Sequence, residues 1–179
     1  MHESTSRSSR RSSGWRPARS IGLLVLATGC GIYTFTGGGG LPGNIRTLAI
    51  PPFENETTQF TLTQELTQAM LDQVPGRLGL KSAGQSTADA VLRGKIVRYS
   101  DAATNFQADP NGPVIFQRRV TITVSVELYD VQDDQVLWQS SSLSADGEYL
   151  PDKQGEIDGR RLAIANLVQK IIDGAQSQW

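Results

Sequence analysis

The 179-residue chain is poor in the side chains on which common catalytic and metal sites depend, since it has one histidine and one cysteine. A single cysteine excludes an internal disulfide framework, and the lack of a His/Cys cluster leaves no metal-ligand set of the usual kind. The carboxylates, such as Asp133 and Asp134, are scattered, and nothing in the sequence pairs two of them across a pocket for acid–base catalysis. We therefore predict no metal, no cofactor and no enzymatic activity.

Basic residues are also scarce outside the amino-terminal segment. Residues 1–29 hold five arginines against Glu3 alone, which leaves 12 basic and 17 acidic residues in 30–179. A protein that binds nucleic acid needs a sustained basic stripe to neutralise the phosphate backbone. The sequence therefore predicts no nucleic-acid partner.

Long hydrophobic runs are absent as well, and the clearest apolar run, Ile21–Ala27, has seven residues. As a helix it would rise about 10 Å, far less than the roughly 30 Å of a bilayer core. An Arg- and Ser-rich segment precedes it, and the small residues Thr28 and Gly29 follow it. This order is that of a secretory signal, so residues 1–29 are predicted to be a signal peptide outside the fold.

The segment Leu26–Cys30 resembles a bacterial lipobox, in which small residues precede a cysteine that is acylated and becomes the first mature residue. The alternative is a small buried free cysteine, the usual fate of a lone one. Cys30 lies between the export signal and a glycine-rich stretch, so we expect lipidation at Cys30. Acyl chains would hold the protein on a membrane surface without a spanning helix. Gly31 is not the aspartate that retains many such proteins at the inner membrane.

Four consecutive glycines, Gly37–Gly40, follow the cysteine. A phosphate-binding loop would need a preceding strand, a following helix and a lysine at fixed spacing, and none of these is present. The composition is instead typical of a flexible linker. We therefore assign residues 30–44 to the lipidated cysteine and its tether, and residues 45–179 to one domain.

Hydrophobic periodicity predicts the elements of that domain. Ile45–Ile50 reads as a strand ended by two prolines, and a four-residue apolar repeat predicts a helix that follows it. Thr61 and Gln64 have the spacing of a capping box at the start of this helix, and Pro75-Gly76 is expected to end it.

The second half of the chain predicts three strands and a helix. Ala90–Tyr99 is a strand with Arg93, Lys95, Val97 and Tyr99 on one face, and turn residues predict a loop over Asn105–Pro113. Val114–Tyr129 alternates strictly, which puts Ile122 and Val124 in the core and Thr121 and Thr123 towards solvent or a partner. The remaining predictions are a hairpin strand over Val136–Leu143 and a closing helix over Gly155–Ala175.

Together these elements predict an α+β fold, a two-layer sandwich in the order β-α-β-β-β-α. A strand that is apolar on one side and polar on the other is typical of a sheet covered on one face only. We expect an antiparallel-rich mixed sheet with both helices on one face.

The stretch CGIYTFTGGGGLPGNIRTLAIPPFENETTQ resembles the start of mature proteins in the LptE family of lipopolysaccharide-assembly lipoproteins. Such proteins read Cys-Gly-Tyr-x-Phe, then a Leu-Pro pair, then an Ile-x-x-Ala-Ile-x-x-Phe-x-Asn strand. The resemblance implies the same α+β fold and a periplasm-facing, lipid-anchored outer-membrane protein. It also implies a large β-barrel partner, LptD, whose lumen the protein plugs while it assists insertion of lipopolysaccharide.

Four cations on two predicted neighbouring strands are the candidate binding residues: Arg93, Lys95, Arg118 and Arg119. They could meet the phosphates of a lipid headgroup through charge-assisted hydrogen bonds, or contact a protein partner. The alternative is a solvated sheet face whose charges prevent edge pairing. Two functions remain open: a lipoprotein that docks into an outer-membrane barrel, or a periplasmic binding module of another envelope complex.

Overall fold

The computed structural model describes residues 41–177. The predicted signal peptide, Cys30 and most of the predicted tether lie outside the described residues. The elements are β1 (Thr47–Ala49), β2 (Glu54–Asn55), α1 (Thr61–Leu78), β3 (Lys81–Ser82), β4 (Ala90–Asp109), β5 (Gly112–Asp130), β6 (Gln135–Tyr149) and α2 (Glu156–Gln176).

The strands form one mixed sheet in the order β3-β1-β4-β5-β6, and β2 pairs with β4. The three long strands β4, β5 and β6 are antiparallel, whereas β1 pairs in parallel with β3 and β4. Both helices lie on one side of the sheet. The predicted α+β class and the order of the main elements are therefore confirmed, with β2 and β3 as short additions.

The hydrophobic core lies between the helices and the inner face of the sheet. Ile122 and Val124 of β5 are fully buried there, which confirms their predicted place. Helix α2 comes close to β6 because two glycines meet: a Cβ at Gly147 would overlap the backbone of Gly159. The fully buried side chains of the helices are spaced by three or four residues, as a one-sided helix requires; they include Leu62, Leu66, Met70, Leu167 and Ile171.

Helix α1 differs from its prediction at both ends. The N-cap is Phe60 and no side chain caps the helix, so the predicted box of Thr61 and Gln64 is wrong. Pro75 lies inside the helix, which continues to Leu78 and ends at Gly79 in the left-handed conformation. Pro75 is tolerated because only the last turn loses a hydrogen bond and its ring is buried.

A β-bulge changes the predicted faces of β4. The register shifts between Ile96 and Arg98, so Arg98 takes the place opposite Thr123 and Tyr99 pairs with Ile122. The Tyr99 hydroxyl reaches Glu156 of α2 on the helix side. The prediction that Tyr99 shares a face with Arg93 and Lys95 is therefore wrong, because strict alternation cannot foresee an inserted residue.

The predicted loop over Asn105–Pro113 is also wrong, because β4 runs to Asp109 and β5 begins at Gly112. Only Pro110 and Asn111 form the turn, where Asp109 Oδ1 accepts the Asn111 N–H at 2.9 Å. Gly112 has φ +123°, a conformation that side chains disfavour. The turn residues thus mark the reversal correctly, but the two strands extend up to it. We call this outer part of the β4–β5 hairpin, residues 102–117, the arm.

The polar face of β5, which points away from the helices, is less exposed than predicted. Thr121 is half-buried, as a partner-facing residue could be, but Thr123 is only 8% exposed. Thr123 lies on the side of the sheet away from the helices, but Arg98 of β4 and Ser144 of β6 flank it, so the expectation that it faces solvent is wrong. Its hydroxyl is 2.8 Å from the Ser144 hydroxyl on β6.

Across residues 41–177, neither helix combines the length and the apolar character that a bilayer crossing requires.

Candidate functional site

The candidate surface is the side of the β4–β5–β6 sheet that faces away from the helices, here called the outer face. Alternate residues of three antiparallel strands place their side chains on it. Three of the four predicted cations, Arg93, Lys95 and Arg119, lie on this face, as their cross-strand partners Glu127, Ser125 and Ala102 show. The structure thus brings three of the four onto one surface.

Arg93 is paired within the sheet. Its guanidinium donates to Glu127 Oε1 on β5 at 2.7 Å, directly across the strand pair. The same guanidinium lies 5.0 Å from the centre of the Tyr129 ring, within the range of a cation–π interaction. Arg93 therefore presents a charge that is already compensated from two sides.

Lys95 contacts two carboxylates that the β2 region contributes. Its Nζ lies 3.1 Å from Glu56 Oε1 and 3.5 Å from Glu54 Oε2. The parallel pairing of β2 with β4 produces this arrangement, because Glu54 is in register with Lys95. The hydrogen bond to Glu56, with the nearby Glu54 charge, raises the pKa of the Lys95 ammonium above its ordinary value.

Arg119 is paired with β6. Its guanidinium donates to Glu148 Oε1 at 2.6 Å and 3.1 Å, and this hydrogen bonding raises the guanidinium pKa. Two residues further along, the Thr121 hydroxyl donates to Asp146 Oδ1 at 2.6 Å. Polar pairs thus continue along the β5–β6 register in place of apolar contacts.

Arg118 lies on the opposite side of the sheet, next to the helix layer. Its Nε is 3.1 Å from Asp101 Oδ1, and the same Nε lies 3.0 Å from the Tyr149 hydroxyl. The Asp101 hydrogen bond raises the pKa of Arg118, while burial raises the pKa of Tyr149. Arg118 therefore belongs to an inner three-residue cluster at the base of the arm and not to the outer face.

Sequence reasoning missed the carboxylates that complete this surface and one further cation. Glu148 and Asp146 come from β6, whose register with β5 cannot be read from the sequence alone. Arg98 joins the outer face only because of the bulge in β4. A shallow depression beside the β6 irregularity is lined by polar residues, Ser125, Gln139, Ser140 and Ser141.

The chemistry of the outer face is that of a polar contact surface. Cations and carboxylates alternate across it and are largely compensated in pairs, which suits a partner with hydrogen-bonding groups more than an apolar one. No cluster of three potential metal ligands occurs among residues 41–177.

Comparison with solved structures shows the fold alone. Protein CT253 from Chlamydia trachomatis, a hypothetical protein, is 11% identical with a TM-score of 0.54, over 74% of this chain and 97% of that chain. A PelC dodecamer from Paraburkholderia phytofirmans is 15% identical with a TM-score of 0.46, over 76% and 93%. A minor lipoprotein from Acinetobacter baumannii is 19% identical with a TM-score of 0.44, over 76% and 94%.

No curated protein sequence matches the chain. The family comparison does give a match: the model of the LptE lipopolysaccharide-assembly family covers residues 45–174. These residues hold every strand that the structure describes, all of α1 and almost all of α2, so the match spans nearly the whole two-layer domain. The chain therefore belongs to the LptE family of lipopolysaccharide-assembly proteins.

Proposed function

We propose that this protein is an outer-membrane lipoprotein, anchored through Cys30 and facing the periplasm, that docks into a β-barrel of the LptD type. In that position it assists the assembly of lipopolysaccharide and has no catalytic role. The observation that carries the proposal is the family match over residues 45–174.

The outer face supports docking inside a barrel. The interior of a large outer-membrane barrel is polar, so a domain that fills it needs a surface with charges and hydrogen-bonding groups. The outer face offers two neighbouring polar pairs, Arg119–Glu148 and Thr121–Asp146, and a third, Arg93–Glu127, further along the sheet. Both helices cover the inner face of the sheet, and no element among residues 41–177 forms a second layer on the outer face.

The charge pairing favours protein docking over headgroup binding at these cations. A lipid phosphate would have to displace Glu148 from Arg119, or Glu54 and Glu56 from Lys95, and those contacts are 2.6–3.5 Å long. A protein partner can instead bind cation and carboxylate together. We therefore assign Arg93, Lys95 and Arg119 to partner contact, with Arg118 in a supporting position at the base of the arm.

The test is copurification of the barrel from detergent-solubilised membranes with the wild-type protein and three variants. Arg119→Glu removes the pair with Glu148, whereas the double variant Arg119→Glu/Glu148→Arg restores a pair of opposite polarity. Arg161→Glu is the matched control, because Arg161 is an exposed cation paired with Asp158 on α2. Exposed substitutions cost little stability, so all variants should fold.

We expect Arg119→Glu and the double variant to lose most of the barrel, and Arg161→Glu to keep it. Recovery by the double variant would show that pairing within the domain matters and that recognition of the outer face does not. Intact barrel recovery with a salt-sensitive loss of lipopolysaccharide binding would instead indicate headgroup recognition. If the wild-type protein brings down another envelope complex and no barrel, the periplasmic binding-module alternative replaces the proposal.

A further inference from the structure

Two β-bulges meet in the middle of the outer face, and one of them brings Arg98 to that face. The β4–β5 register shifts between Ile96 and Arg98, which leaves Val97 without a partner on β5. On the other side of β5, the β6 register shifts opposite Ser125. Bulges often redirect a side chain at a functional position. Without the β4 bulge, strict alternation would turn Arg98 towards the helix layer, so the outer face gains this cation from the bulge alone.

Arg98 is a cation of the outer face that the fold leaves without a counter-charge. Its side chain is exposed, and its guanidinium makes no ion pair or hydrogen bond within residues 41–177. The other three cations of this face differ, because Arg93, Lys95 and Arg119 each contact a carboxylate of the domain itself. Arg98 is therefore the free positive charge at the centre of a surface that is otherwise compensated.

The groups around Arg98 are neutral hydroxyls. Thr123 lies opposite Arg98, and its hydroxyl is 2.8 Å from that of Ser144 on β6. Ser125 is the diagonal neighbour, at roughly 7–8 Å in a regular sheet, which a long side chain can span. Ser125 also lines the polar depression of about 430 Å³ beside the β6 bulge. These hydroxyls can donate hydrogen bonds to an anionic group, but they cannot neutralise the guanidinium.

Covering the outer face makes the Arg98 charge costly unless the partner supplies the opposite charge. An ionised group that leaves water without a counter-charge destabilises a complex, whereas a well-formed pair across an interface fixes the register of the partners. This step rests on the proposed function, since it takes a barrel to cover the outer face. We propose that Arg98 is the recognition residue at the centre of the docking surface and binds an Asp or Glu carboxylate of the barrel. The polar depression beside it receives the side chain that carries this carboxylate.

The charge count favours a carboxylate over a lipid phosphate as the group that Arg98 binds. A carboxylate has one negative charge, and its two oxygens match the two parallel N–H donors of a guanidinium. Phosphate groups carry more charge and are typically held by a cluster of cations. Near Arg98 such a cluster is not free, because Glu56 engages Lys95 and Glu148 engages Arg119. One free guanidinium therefore fits one carboxylate.

The experiment measures the dissociation constant between the full-length protein in detergent and the purified barrel that copurifies with it. Arg98→Met removes the charge and keeps an apolar stem, and we expect the dissociation constant to rise about tenfold or more. Arg98→Lys keeps the charge without the two-donor geometry, so its affinity should lie between those of the wild type and Arg98→Met.

Arg77→Met is the matched control for the loss of an exposed arginine. Arg77 is also exposed and forms no ion pair within residues 41–177, but it lies in the last turn of α1, on the helix side. This control should bind the barrel like the wild type. Because Arg98 has no polar contact in the domain to lose, Arg98→Met should also unfold at the wild-type temperature, which separates recognition from a structural role.

A reciprocal charge exchange identifies the carboxylate. A photo-reactive residue at Val97, next to Arg98, should crosslink to a barrel peptide that contains Asp or Glu. Arg98→Glu should weaken binding at least as much as Arg98→Met, because two carboxylates then face each other. Replacing the crosslinked acid of the barrel by arginine should restore binding to Arg98→Glu and weaken binding to the wild type.

The outcomes separate this inference from the proposed function. If Arg98→Met binds the barrel as well as Arg77→Met does, while Arg119→Glu binds it poorly, the inference is overturned and docking through the outer face stands. A wild-type protein that binds no barrel overturns both. Unchanged barrel affinity with a loss of lipopolysaccharide binding in Arg98→Met overturns the inference, because Arg98 then recognises a phosphate. A charge exchange that restores no binding overturns it as well.

Discussion

Strand β5 contains two halves that differ in their surroundings although they belong to one continuous strand. From Val120 to Leu128, alternate residues are fully or almost fully buried beneath the helices. From Gly112 to Phe116, every residue is exposed, including three large apolar side chains. The comparison teaches that an alternating pattern identifies a strand but does not say which part of it a second layer covers.

The two regions of the sheet also differ in their charged residues. On the part of the sheet outside the arm, here called the body, charged residues such as Arg93, Lys95 and Arg119 are compensated by carboxylates from neighbouring strands. Along the arm, charge is absent except at Asp109. A surface of paired charges suits a polar partner, whereas an uncharged strand edge suits another strand. The two regions therefore differ in the kind of contact that each can make.

The largest expected effect tests the difference in burial within β5 itself. Ile122 is fully buried and Ile115 is 39% exposed, so the same substitution can be compared at both positions. We expect Ile122→Ala to cost about 2–5 kcal/mol in the free energy of unfolding, and Ile115→Ala about 1 kcal/mol or less. Urea unfolding of the wild type and of both variants checks this. Equal losses would contradict the division of the strand.

A smaller effect is expected at Arg160 of α2, the cation that joins the two helices to each other. Arg160, whose side chain is 9% exposed, donates to Glu65 of α1 at 2.9 Å and to Glu156 of α2 at 2.9 Å. Because both carboxylates are partly exposed, we expect Arg160→Met to cost about 1–3 kcal/mol. The adjacent Arg161 is 76% exposed, so Arg161→Met should stay within about 0.5 kcal/mol. Similar losses in the free energy of unfolding for both variants would show that the Arg160 ion pairs do not stabilise the helix layer.

The smallest expected effect is a pH dependence at the end of the body that lies away from the arm. Asp89 accepts hydrogen bonds from the Thr47 hydroxyl at 2.8 Å and from the Arg46 and Thr47 N–H groups, and these lower its pKa. A lowered folded-state pKa gives stability that is present above about pH 3.9 and is lost as the pH falls through the folded value.

Thermal unfolding of Asp89→Asn and the wild type at pH 6 and pH 3 measures this contribution. The variant should be less stable at pH 6, and the difference should shrink at pH 3. A difference that is constant with pH would show that the Asp89 charge is not involved. Asp109→Asn at the tip of the arm is the control, and it should change neither value appreciably.

The sequence allowed the α+β class, the main element order and the core positions Ile122 and Val124 to be predicted, because each depends on local periodicity. Three features depend on tertiary context and were not predictable. Pro75 stays helical because its ring is buried, and Tyr99 changes face because of a bulge. The loop prediction failed because turn residues specify a reversal but not how far the flanking strands extend.

The candidate site was predictable in part for the same reason. Alternation placed Arg119 on the polar face of its strand and put Arg93 and Lys95 together on one face of theirs, but the four cations were grouped as one candidate site, and the fold separates Arg118 from the rest. Their carboxylate partners depend on the β5–β6 register and on the pairing of β2, which need the folded chain. The charge balance of the surface, on which the proposed preference for a protein partner rests, was therefore not accessible from the sequence.

The central claim is that the outer face of the sheet contacts the barrel. The most direct measurement is photo-crosslinking in intact cells, with a photo-reactive residue placed at Ser100 on the outer face or at the exposed Leu162 on α2. Mass spectrometry then identifies the crosslinked protein. The account predicts a crosslink to a large outer-membrane barrel from Ser100 and a much weaker one from Leu162. A barrel crosslink from Leu162 with none from Ser100 would contradict it.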